Sequence, residues 1–133
     1  MKKTALSGIK PTGSLHIGNY LGMIKPAFDL IENYRTLYFV ADYHALTTFK
    51  NKDILNRHVY DVAATLLALG LDPQKIIFFR QSDIPEIFEF TCILNCFATK
   101  GLLNRAHAYK AAVEANLDKG KQPDADINAG LFN

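Results

Sequence analysis

The fold of this chain is decided by Ser7-Gly-Ile-Lys-Pro-Thr-Gly-Ser-Leu-His-Ile-Gly-Asn-Tyr20. Thr4-Ala5-Leu6, just before it, predicts the end of a short β-strand. After it, apolar side chains recur at the spacing of an amphipathic helix: Ile17, Tyr20, Leu21, Ile24, Phe28 and Ile31. A strand, a turn and a helix in this order gather backbone N–H groups and a helix N-terminus at one point, where phosphate binds best. The stretch therefore predicts a phosphate site.

Two common phosphate motifs do not fit this turn. Gly8-x-x-x-x-Gly13 has the glycine spacing of a P-loop, but Ser14-Leu15 follows where Lys-Ser/Thr is required, and the pattern G-x-G-x-x-G is absent. Instead, His16 and Asn19 place hydrogen-bond donors on the first turn of the helix. Gly18, which lacks a Cβ, leaves room for a flat ring on the helix backbone. Taken singly, these residues also suit an ordinary strand–turn–helix with a surface histidine; the assembled run favours the phosphate site.

Four stretches together resemble the class I aminoacyl-tRNA synthetases, and among them the tryptophan-specific enzymes. Ser7-Gly-Ile-Lys-Pro-Thr-Gly-Ser-Leu-His-Ile-Gly-Asn-Tyr-Leu-Gly22 is similar to the family's HIGH-motif segment, and its Asn19-Tyr20 ending looks like the tryptophan enzymes. Three later stretches are similar too: Ala41-Asp-Tyr-His-Ala-Leu-Thr-Thr48, Arg80-Gln-Ser-Asp-Ile-Pro-Glu86 and Gly101-Leu-Leu-Asn-Arg-Ala-His-Ala-Tyr-Lys110. The resemblance runs the whole length of the chain, with the motifs in the family's order.

Composition narrows the class of protein without identifying its partners. At 133 residues and 49% hydrophobic, the chain is long enough for one compact domain with a core. A net charge of +2 does not by itself imply a nucleic-acid partner. The segment after Met1-Lys2-Lys3 is a strand and a polar turn, so neither a signal peptide nor a membrane span is expected. We expect a cytoplasmic protein.

Strands and helices alternate along the first part of the chain. Thr36–Ala41 and Lys75–Phe79 are apolar runs typical of strands buried on both faces of a parallel sheet, and the helix between them runs from about Asn51 to Gly70. The first helix is predicted from Ser14, as N-cap, to about Asn33, with a bend at Pro26. This alternation predicts an α/β fold with a parallel sheet and flanking helices. Ligands bind at the carboxyl ends of such strands, where three polar segments converge: Ser7 to Thr12, Asp42 to His44 and Arg80 to Ser82.

The last part of the chain is predicted to be helical. Asp83-x-x-Glu86 looks like a capping box that opens a helix carrying Phe88, Cys92 and Cys96 and ending near Gly101. A short helix from Leu103 to Glu114 follows, and Leu117 to Asp126 is expected to be a mobile loop.

The resemblance implies a Rossmann-like fold, the amino-terminal half of a class I synthetase catalytic domain, and a two-step reaction. The carboxylate of tryptophan attacks the α-phosphate of ATP, pyrophosphate leaves, and the aminoacyl group of the adenylate passes to tRNA(Trp). The implied partners are ATP with Mg²⁺, tryptophan, tRNA(Trp) and a second subunit in a homodimer. His16 and Asn19 are the implied catalytic residues.

Binding residues are also carried over from the resemblance. Those for ATP are Lys10, Pro11, Thr12, His16, Gly18 and Asn19. Those for the amino-acid pocket are Leu6, Gly8, His44 and Gln81. Lys10 departs from the glutamine more often found in the family and adds a positive charge suited to phosphate.

Other interpretations stay open beside this one. The second synthetase motif, Lys-Met-Ser-Lys-Ser, is absent from residues 1–133, so we expect them to be the amino-terminal part of a nucleotide-binding catalytic domain, inactive alone. The rest of that domain and the anticodon-binding domain would lie outside. The alternatives are a tyrosine-specific synthetase, a small adenylyltransferase, and a non-catalytic paralogue that binds a ligand or a partner.

Several chemically capable side chains have simpler explanations. Cys92 and Cys96 have no further cysteine or histidine pair at ligand spacing, so we expect no metal site and favour packing in the core or at a dimer face. His58 is expected to be structural. His107 suits an RNA-facing or a solvated helix surface equally. Asp42 and His44 could form an acid–base pair, but we favour a role in binding the substrate or in supporting the edge of the sheet.

Overall fold

A parallel three-stranded sheet organises the first part of the molecule. The computed structural model describes residues 2–132, and the chain divides into two compact units, the first ending at Ile84 and the second beginning at Pro85. The strands are β1 (Thr4–Ile9), β2 (Arg35–Val40) and β3 (Ile77–Arg80), in the spatial order β1-β2-β3. Both neighbouring pairs are parallel. The predicted α/β fold with a parallel sheet is confirmed.

The helical segment after β1 differs in detail from the prediction. It begins as α1 (Ile17–Asn19), widens into a π-helix at Tyr20–Ile24 and ends as α2 (Lys25–Asp29). The N-cap is His16, not Ser14, and the helix ends at Asp29, not near Asn33. Pro26 cannot donate a backbone hydrogen bond, and the wider π turn just before it accommodates the loss without ending the helix.

One face of the sheet is buried and forms the core of the first unit. Alternate strand residues point to this face, and they include Ile9, Tyr38 and Val40, each at most 3% exposed. The helices that cover it are α2 with the π-helix, and α4 (Lys52–Ala68). The helix residues buried in this cluster are Ile24, Ala27, Val59, Val62 and Leu66. Each large apolar side chain buried in this way contributes roughly 1.5–3 kcal/mol.

The opposite face of the sheet is much more open to solvent. Leu6 on β1 is 65% exposed and Ile77 on β3 is 45% exposed. On the same face, two positions further along β2 and β3, the half-buried rings of Phe39 and Phe79 stack with their centroids 5.5 Å apart. The sequence predicted strands buried on both faces, and in the first unit only the face under the helices is closely packed.

The helix between β2 and β3 matches its prediction closely. Asn51 is the N-cap, with its side chain accepting from the backbone N–H groups of Asp53 and Ile54, and the helix ends at Ala68. Strand β3 is displaced from the predicted run of Lys75 to Phe79, since it begins at Ile77 and includes Arg80. A short helix, α3 (Asp42–Ala45), follows β2 directly.

The second unit is helical, but its boundaries correct the prediction. It contains α5 (Glu86–Phe97), α6 (Lys100–Leu103), α7 (His107–Asp118) and a final 3₁₀ turn at Ala129–Phe132. The predicted capping box is wrong, because Pro85 is the N-cap of α5 and no side chain caps it. The first of these helices stops at Phe97 rather than near Gly101. The helix predicted from Leu103 to Glu114 begins only at His107 and ends at Asp118, and Leu103 is the last residue of α6.

Hydrogen bonds fasten the segment that was predicted to be a mobile loop. Asn116 Nδ2 donates to the carbonyl oxygens of Pro123 and Ala125, at 3.0 and 2.7 Å. The hydroxyl of Tyr109 donates to Asp124 Oδ1 at 2.6 Å, and this bond raises the pKa of Tyr109. The segment is therefore tied to the face of α7.

Cys92 and Cys96 are both free and exposed on α5, so the expectation that they pack in a core is wrong for this unit. Packing at a dimer face stays a prediction. Within residues 2–132, no helix is both long and apolar enough to cross a membrane.

Candidate functional site

The segment of residues 10–19, which we call the β1 turn, leaves the carboxyl end of β1. The strand continues to Ile9, three residues beyond the predicted end, because Ser7, Gly8 and Ile9 pair with β2. Pro11 is fully buried, and Thr12 N–H donates to the carbonyl of Lys10 at 2.9 Å. Gly13 has φ of 147°, a conformation that favours glycine. The chain is thus turned sharply before the helix begins.

His16 closes the N-terminus of the helix with its own ring. Its Nδ1 accepts from Gly18 N–H at 3.1 Å, while its backbone N–H donates to Asn19 Oδ1 at 2.9 Å. A neutral imidazole that accepts at Nδ1 carries its hydrogen on Nε2. The side chain is exposed, so Nε2–H can donate to a ligand at the helix N-terminus.

Gly18 is needed for this arrangement of the histidine. A Cβ placed on Gly18 would lie 3.0 Å from both Cε1 and Nδ1 of His16, tighter than ordinary contact. The sequence predicted room for a flat ring over Gly18, and the ring that occupies this room is the imidazole of His16 itself. A binding role for Gly18 toward adenine stays a prediction.

Lys10 connects the β1 turn to the segment after α3. Its ammonium donates to Thr47 Oγ1 at 2.9 Å and to Thr48 Oγ1 at 3.0 Å. An ammonium group has three N–H donors, so one remains for an anion. The two threonines hold the positive charge in place at the carboxyl end of β1.

The ends of β2 and β3 are joined by a set of residues that we call the strand-end wall: Asp42, His44, Gln81 and Ser82. Asp42 opens α3, is only 9% exposed, and accepts three hydrogen bonds. Ser82 donates two of them, from its backbone N–H at 3.0 Å and from its Oγ at 2.5 Å, and Tyr43 N–H donates the third at 3.0 Å. The charge of this buried carboxylate is therefore well compensated.

Two predicted pocket residues, His44 and Gln81, meet directly in the strand-end wall. The backbone N–H of His44 donates to Gln81 Oε1 at 3.1 Å, although the two residues are 37 positions apart. The imidazole of His44 is exposed and Gln81 is half-buried. Their side chains are thus held at the carboxyl edge of the sheet, where the sequence predicted a ligand.

Leu6 and Gly8 lie on the open face of the sheet, on the strand that leads into the β1 turn. Parallel pairing places Gly8 beside Phe39 on β2. A Cβ on Gly8 would come within 2.5 Å of Phe39 Cζ, so the ring of Phe39 covers this glycine. Leu6 is largely exposed and available for an apolar ligand or for another part of the protein.

Arg80 and Asp83 form a local pair beside the strand-end wall. The guanidinium of Arg80 binds Asp83 Oδ1 at 2.7 Å, and Arg80 N–H donates to Asp83 Oδ2 at 2.9 Å. The hydrogen bond from the Arg80 side chain, followed by the one from its backbone, holds the pKa of Asp83 below its usual value. The same pair raises the pKa of Arg80. Asp83 therefore closes the turn after β3 and does not cap α5.

The predicted convergence of three polar segments at one edge is confirmed in the first unit. Its second and third segments are tied by the bonds of the strand-end wall, and Lys10 links the first to the chain just after α3. The acid–base pair of Asp42 with His44 is not formed, because the Asp42 carboxylate is bonded to Ser82. Sequence reasoning missed Ser82, Thr47 and Thr48 as supporting residues, since nothing local distinguishes a hydroxyl whose partner lies about 40 positions away.

No group of three or more potential metal ligands occurs among the His, Cys, Asp and Glu side chains of residues 2–132. Mg²⁺ commonly binds with few protein ligands and several phosphate oxygens. A nucleotide at the β1 turn would fit that pattern by carrying the ion itself.

The chain is similar in sequence to known proteins. The family described as tRNA synthetases class I (W and Y) matches residues 2–133. The chain is 51% identical to a tryptophan–tRNA ligase of Pseudomonas putida, over 99% of this chain and 30% of the relative.

Solved structures give the same picture of the fold. Tryptophanyl-tRNA synthetase from Campylobacter jejuni has a TM-score of 0.83 and 40% identity, covering 99% of this chain and 39% of that one. A structure of the same enzyme complexed with ADP and tryptophan has a TM-score of 0.81 and 41% identity, covering 97% and 38%. The chain thus spans 30 to 39% of the length of these relatives.

Proposed function

The chain belongs to the tRNA synthetases class I (W and Y) family, and on that premise we propose that it serves the ATP-dependent activation of tryptophan and its ligation to tRNA(Trp). Tryptophan is favoured over tyrosine because relatives about half identical to this chain are tryptophan–tRNA ligases. Residues 1–133 are proposed to be the amino-terminal part of a nucleotide-binding catalytic domain. The reaction is assigned to the full-length protein, since this chain covers only 30 to 40% of the relatives.

One observation carries the proposal most directly: His16 Nε2 and Lys10 both offer free donors at the carboxyl end of β1. In the proposed first step, a carboxylate oxygen of tryptophan forms a bond to the α-phosphorus of ATP. The bond from that phosphorus to the bridging oxygen breaks, and pyrophosphate leaves with the electron pair. Positioned donors stabilise the charge on the phosphoryl oxygens, so the protein needs no covalent nucleophile.

The residues of the β1 turn are proposed to bind ATP. His16 Nε2–H donates to a phosphoryl oxygen, Asn19 Nδ2 supplies a further donor, and the remaining N–H of Lys10 pairs with phosphate. Pro11 and Thr12 shape the turn, and Mg²⁺ arrives on the triphosphate. The C. jejuni relative, complexed with ADP and tryptophan, supports a nucleotide and an amino acid as joint ligands.

The amino acid is proposed to bind between the open sheet face and the strand-end wall. Leu6 and the ring of Phe39, which lies over Gly8, provide an apolar surface that suits the flat ring of an indole. His44 and Gln81 supply polar groups at the same edge of the sheet. The carboxylate of the bound amino acid would then point toward the β1 turn.

The remaining partners are proposed from the family. They are tRNA(Trp) as acceptor and a second copy of the protein in a homodimer, and the protein is proposed to work in the cytoplasm. Apolar side chains exposed on α5 support a protein partner, among them Phe90, Ile93 and Phe97 at 60, 54 and 80% exposure.

Pyrophosphate exchange into ATP tests the proposal on the full-length protein. We expect exchange that depends on tryptophan and is at least a hundredfold slower with tyrosine, because a site built around one ring rejects the other. Faster exchange with tyrosine would identify the tyrosine-specific alternative. Binding of ATP or tryptophan without any exchange would identify the non-catalytic alternative.

A further inference from the structure

We propose that Asp42 and Ser82 act as a clamp that positions His44 and Gln81 for the amino acid, an inference that rests on the proposed function. Neither residue is expected to touch the reacting atoms. Their role is to hold the ends of β2 and β3 at a fixed separation and register. Asp42 and Ser82 are therefore positioning residues for amino-acid binding.

The geometry of the clamp is tighter than simple strand pairing requires. Ser82 donates twice to Asp42, with its Oγ–H to Oδ2 at 2.5 Å and its backbone N–H to Oδ1 at 3.0 Å. Hydrogen bonds to an ionised carboxylate are shorter and stronger than neutral ones. The ladder between β2 and β3 ends at the pair Val40 and Arg80, so the clamp fixes the chain just beyond the last paired residues.

Both ends of the clamp lie next to predicted pocket residues in the sequence. Ser82 follows Gln81 directly, and Asp42 lies two positions before His44 on the same short helix, α3. The bond from His44 N–H to Gln81 Oε1, at 3.1 Å, is a second link across the same gap. Release of the clamp would let the turn after β3 move, and Gln81 would move with it.

The bonding of Asp42 argues against a direct chemical role. Its two oxygens accept three hydrogen bonds, and the residue is 9% exposed, so it is poorly placed to receive a substrate proton. A buried carboxylate that loses a donor is destabilised, because its charge is no longer compensated. Removing the Ser82 hydroxyl therefore loosens the strand-end wall while leaving the β1 turn unchanged.

The test uses Ser82→Ala and Asp42→Asn in the full-length protein, with pyrophosphate exchange measured against tryptophan and against ATP. We expect the KM for tryptophan to rise about tenfold in Ser82→Ala, and further in Asp42→Asn, while the KM for ATP stays within about twofold. Ser82→Thr, which keeps the hydroxyl, should restore most of the affinity. Matched controls are Thr91→Ala on α5 and Asp29→Asn on α2. The Thr91 hydroxyl donates to the carbonyl of Ile87 within its own helix, and Asp29 pairs with Lys25 on the helix surface.

A second measurement does not depend on activity. Amide hydrogen exchange of Ser82 and His44 in the unliganded protein should quicken at least tenfold in Ser82→Ala and stay unchanged in Thr91→Ala. Equal rises in both KM values, or amide exchange at the wild-type rate, would overturn the clamp. Wild-type protein that exchanges with no amino acid would overturn the proposed function and the substrate part of this inference, whereas amide exchange would still decide whether the clamp exists.

Discussion

The two halves of the candidate site are held together in opposite ways. In the β1 turn, the bonds of His16 reach only two or three residues along the chain, to Gly18 and Asn19. In the strand-end wall, the bonds join residues 37 to 40 positions apart. The candidate site, which is proposed to bind two substrates, is thus half local and half dependent on the sheet. This difference predicts that mutations in one half will change the kinetic constants for one proposed substrate and leave those for the other unchanged.

Lys10 is the exception that joins the local half to the rest of the first unit. It belongs to the β1 turn, but its ammonium is held by Thr47 and Thr48. The position of the turn relative to the end of β2 therefore depends on a side chain that is also predicted to bind phosphate. Mutations of Lys10 should reveal whether binding or positioning dominates.

The largest expected effect is that of His16→Ala on the local half. Loss of one positioned donor costs about 3 kcal/mol in the barrier, or roughly a hundredfold in turnover of pyrophosphate exchange. His16→Asn keeps a side-chain acceptor for the N-cap but lacks the reach of Nε2, so it should be nearly as slow. His107→Ala, which removes an exposed histidine from α7, is the matched control. Turnover of His16→Ala within about threefold of the parent would show that His16 is not a catalytic donor.

A smaller effect is expected when the side chain of Lys10, which links the two halves of the candidate site, loses its charge. Lys10→Met keeps the aliphatic stem and loses the charge, so the KM for ATP should rise about tenfold, equivalent to about 1.4 kcal/mol. The KM for tryptophan should change little. Lys25→Met provides the control, since Lys25 pairs with Asp29 on the helix surface. A rise confined to tryptophan would contradict the assignment of Lys10 to phosphate.

Gly8→Ala tests the close contact between Gly8 and Phe39 on the open face of the sheet. The new Cβ would lie 2.5 Å from Phe39 Cζ, so the ring must leave its stack on Phe79. Urea unfolding should show a loss of about 1 kcal/mol, because the ring has open space into which it can turn. Gly22→Ala, where an added Cβ meets nothing within 4 Å, should show no loss. Recovery of stability in Gly8→Ala with Phe39→Leu would confirm the clash as its cause.

The smallest effect is expected from Asp83→Asn. This substitution breaks the local pair of Asp83 with Arg80, which lies beside the strand-end wall. The pair with Arg80 is exposed and screened by solvent, so its loss should lower the free energy of unfolding by about 0.5 kcal/mol at pH 7. Because the pKa of Asp83 is lowered in the folded protein, this stabilisation is complete above the unfolded value of about 3.9 and is lost as the pH falls through the folded value. Urea unfolding measured from pH 7 downward should therefore show a difference between variant and parent that shrinks as the pH falls below about 3.9. A difference that stays constant through the acid range would refute the ionic cause.

The accuracy of the sequence predictions follows the range of the interactions involved. The helix from Lys52 to Ala68 was predicted within two residues, because its cap and its apolar stripe are both local. The capping box at Asp83 was wrong, since Asp83 instead closes the turn with Arg80. The sequence left core packing and dimer-face packing open for Cys92 and Cys96, because an apolar helix pattern does not tell which neighbour covers it.

The boundaries of β1 and of the first helix show the same limit. Ser7 to Ile9 looked like part of the turn because of the glycine, yet pairing with β2 extends the strand through them. The helix begins two residues later than predicted, where the imidazole of His16 accepts from Gly18 N–H. Histidine is not among the residues commonly found at helix N-caps, so the sequence alone did not indicate that the imidazole Nδ1 of His16 caps the helix.

The sequence by itself determined the order of strands and helices and the β1 turn with its donors, since each depends on residues within a few positions of one another. The parallel direction of the strands followed from that alternating order. The tertiary structure alone decided that the carboxylate of Asp42 meets Ser82, that Gln81 meets His44, and that Lys10 is held by two threonines. Local patterns fix backbone conformation because the groups that bond are always near each other. Contacts across the sheet exist only once its register is set, and no local pattern contains that register.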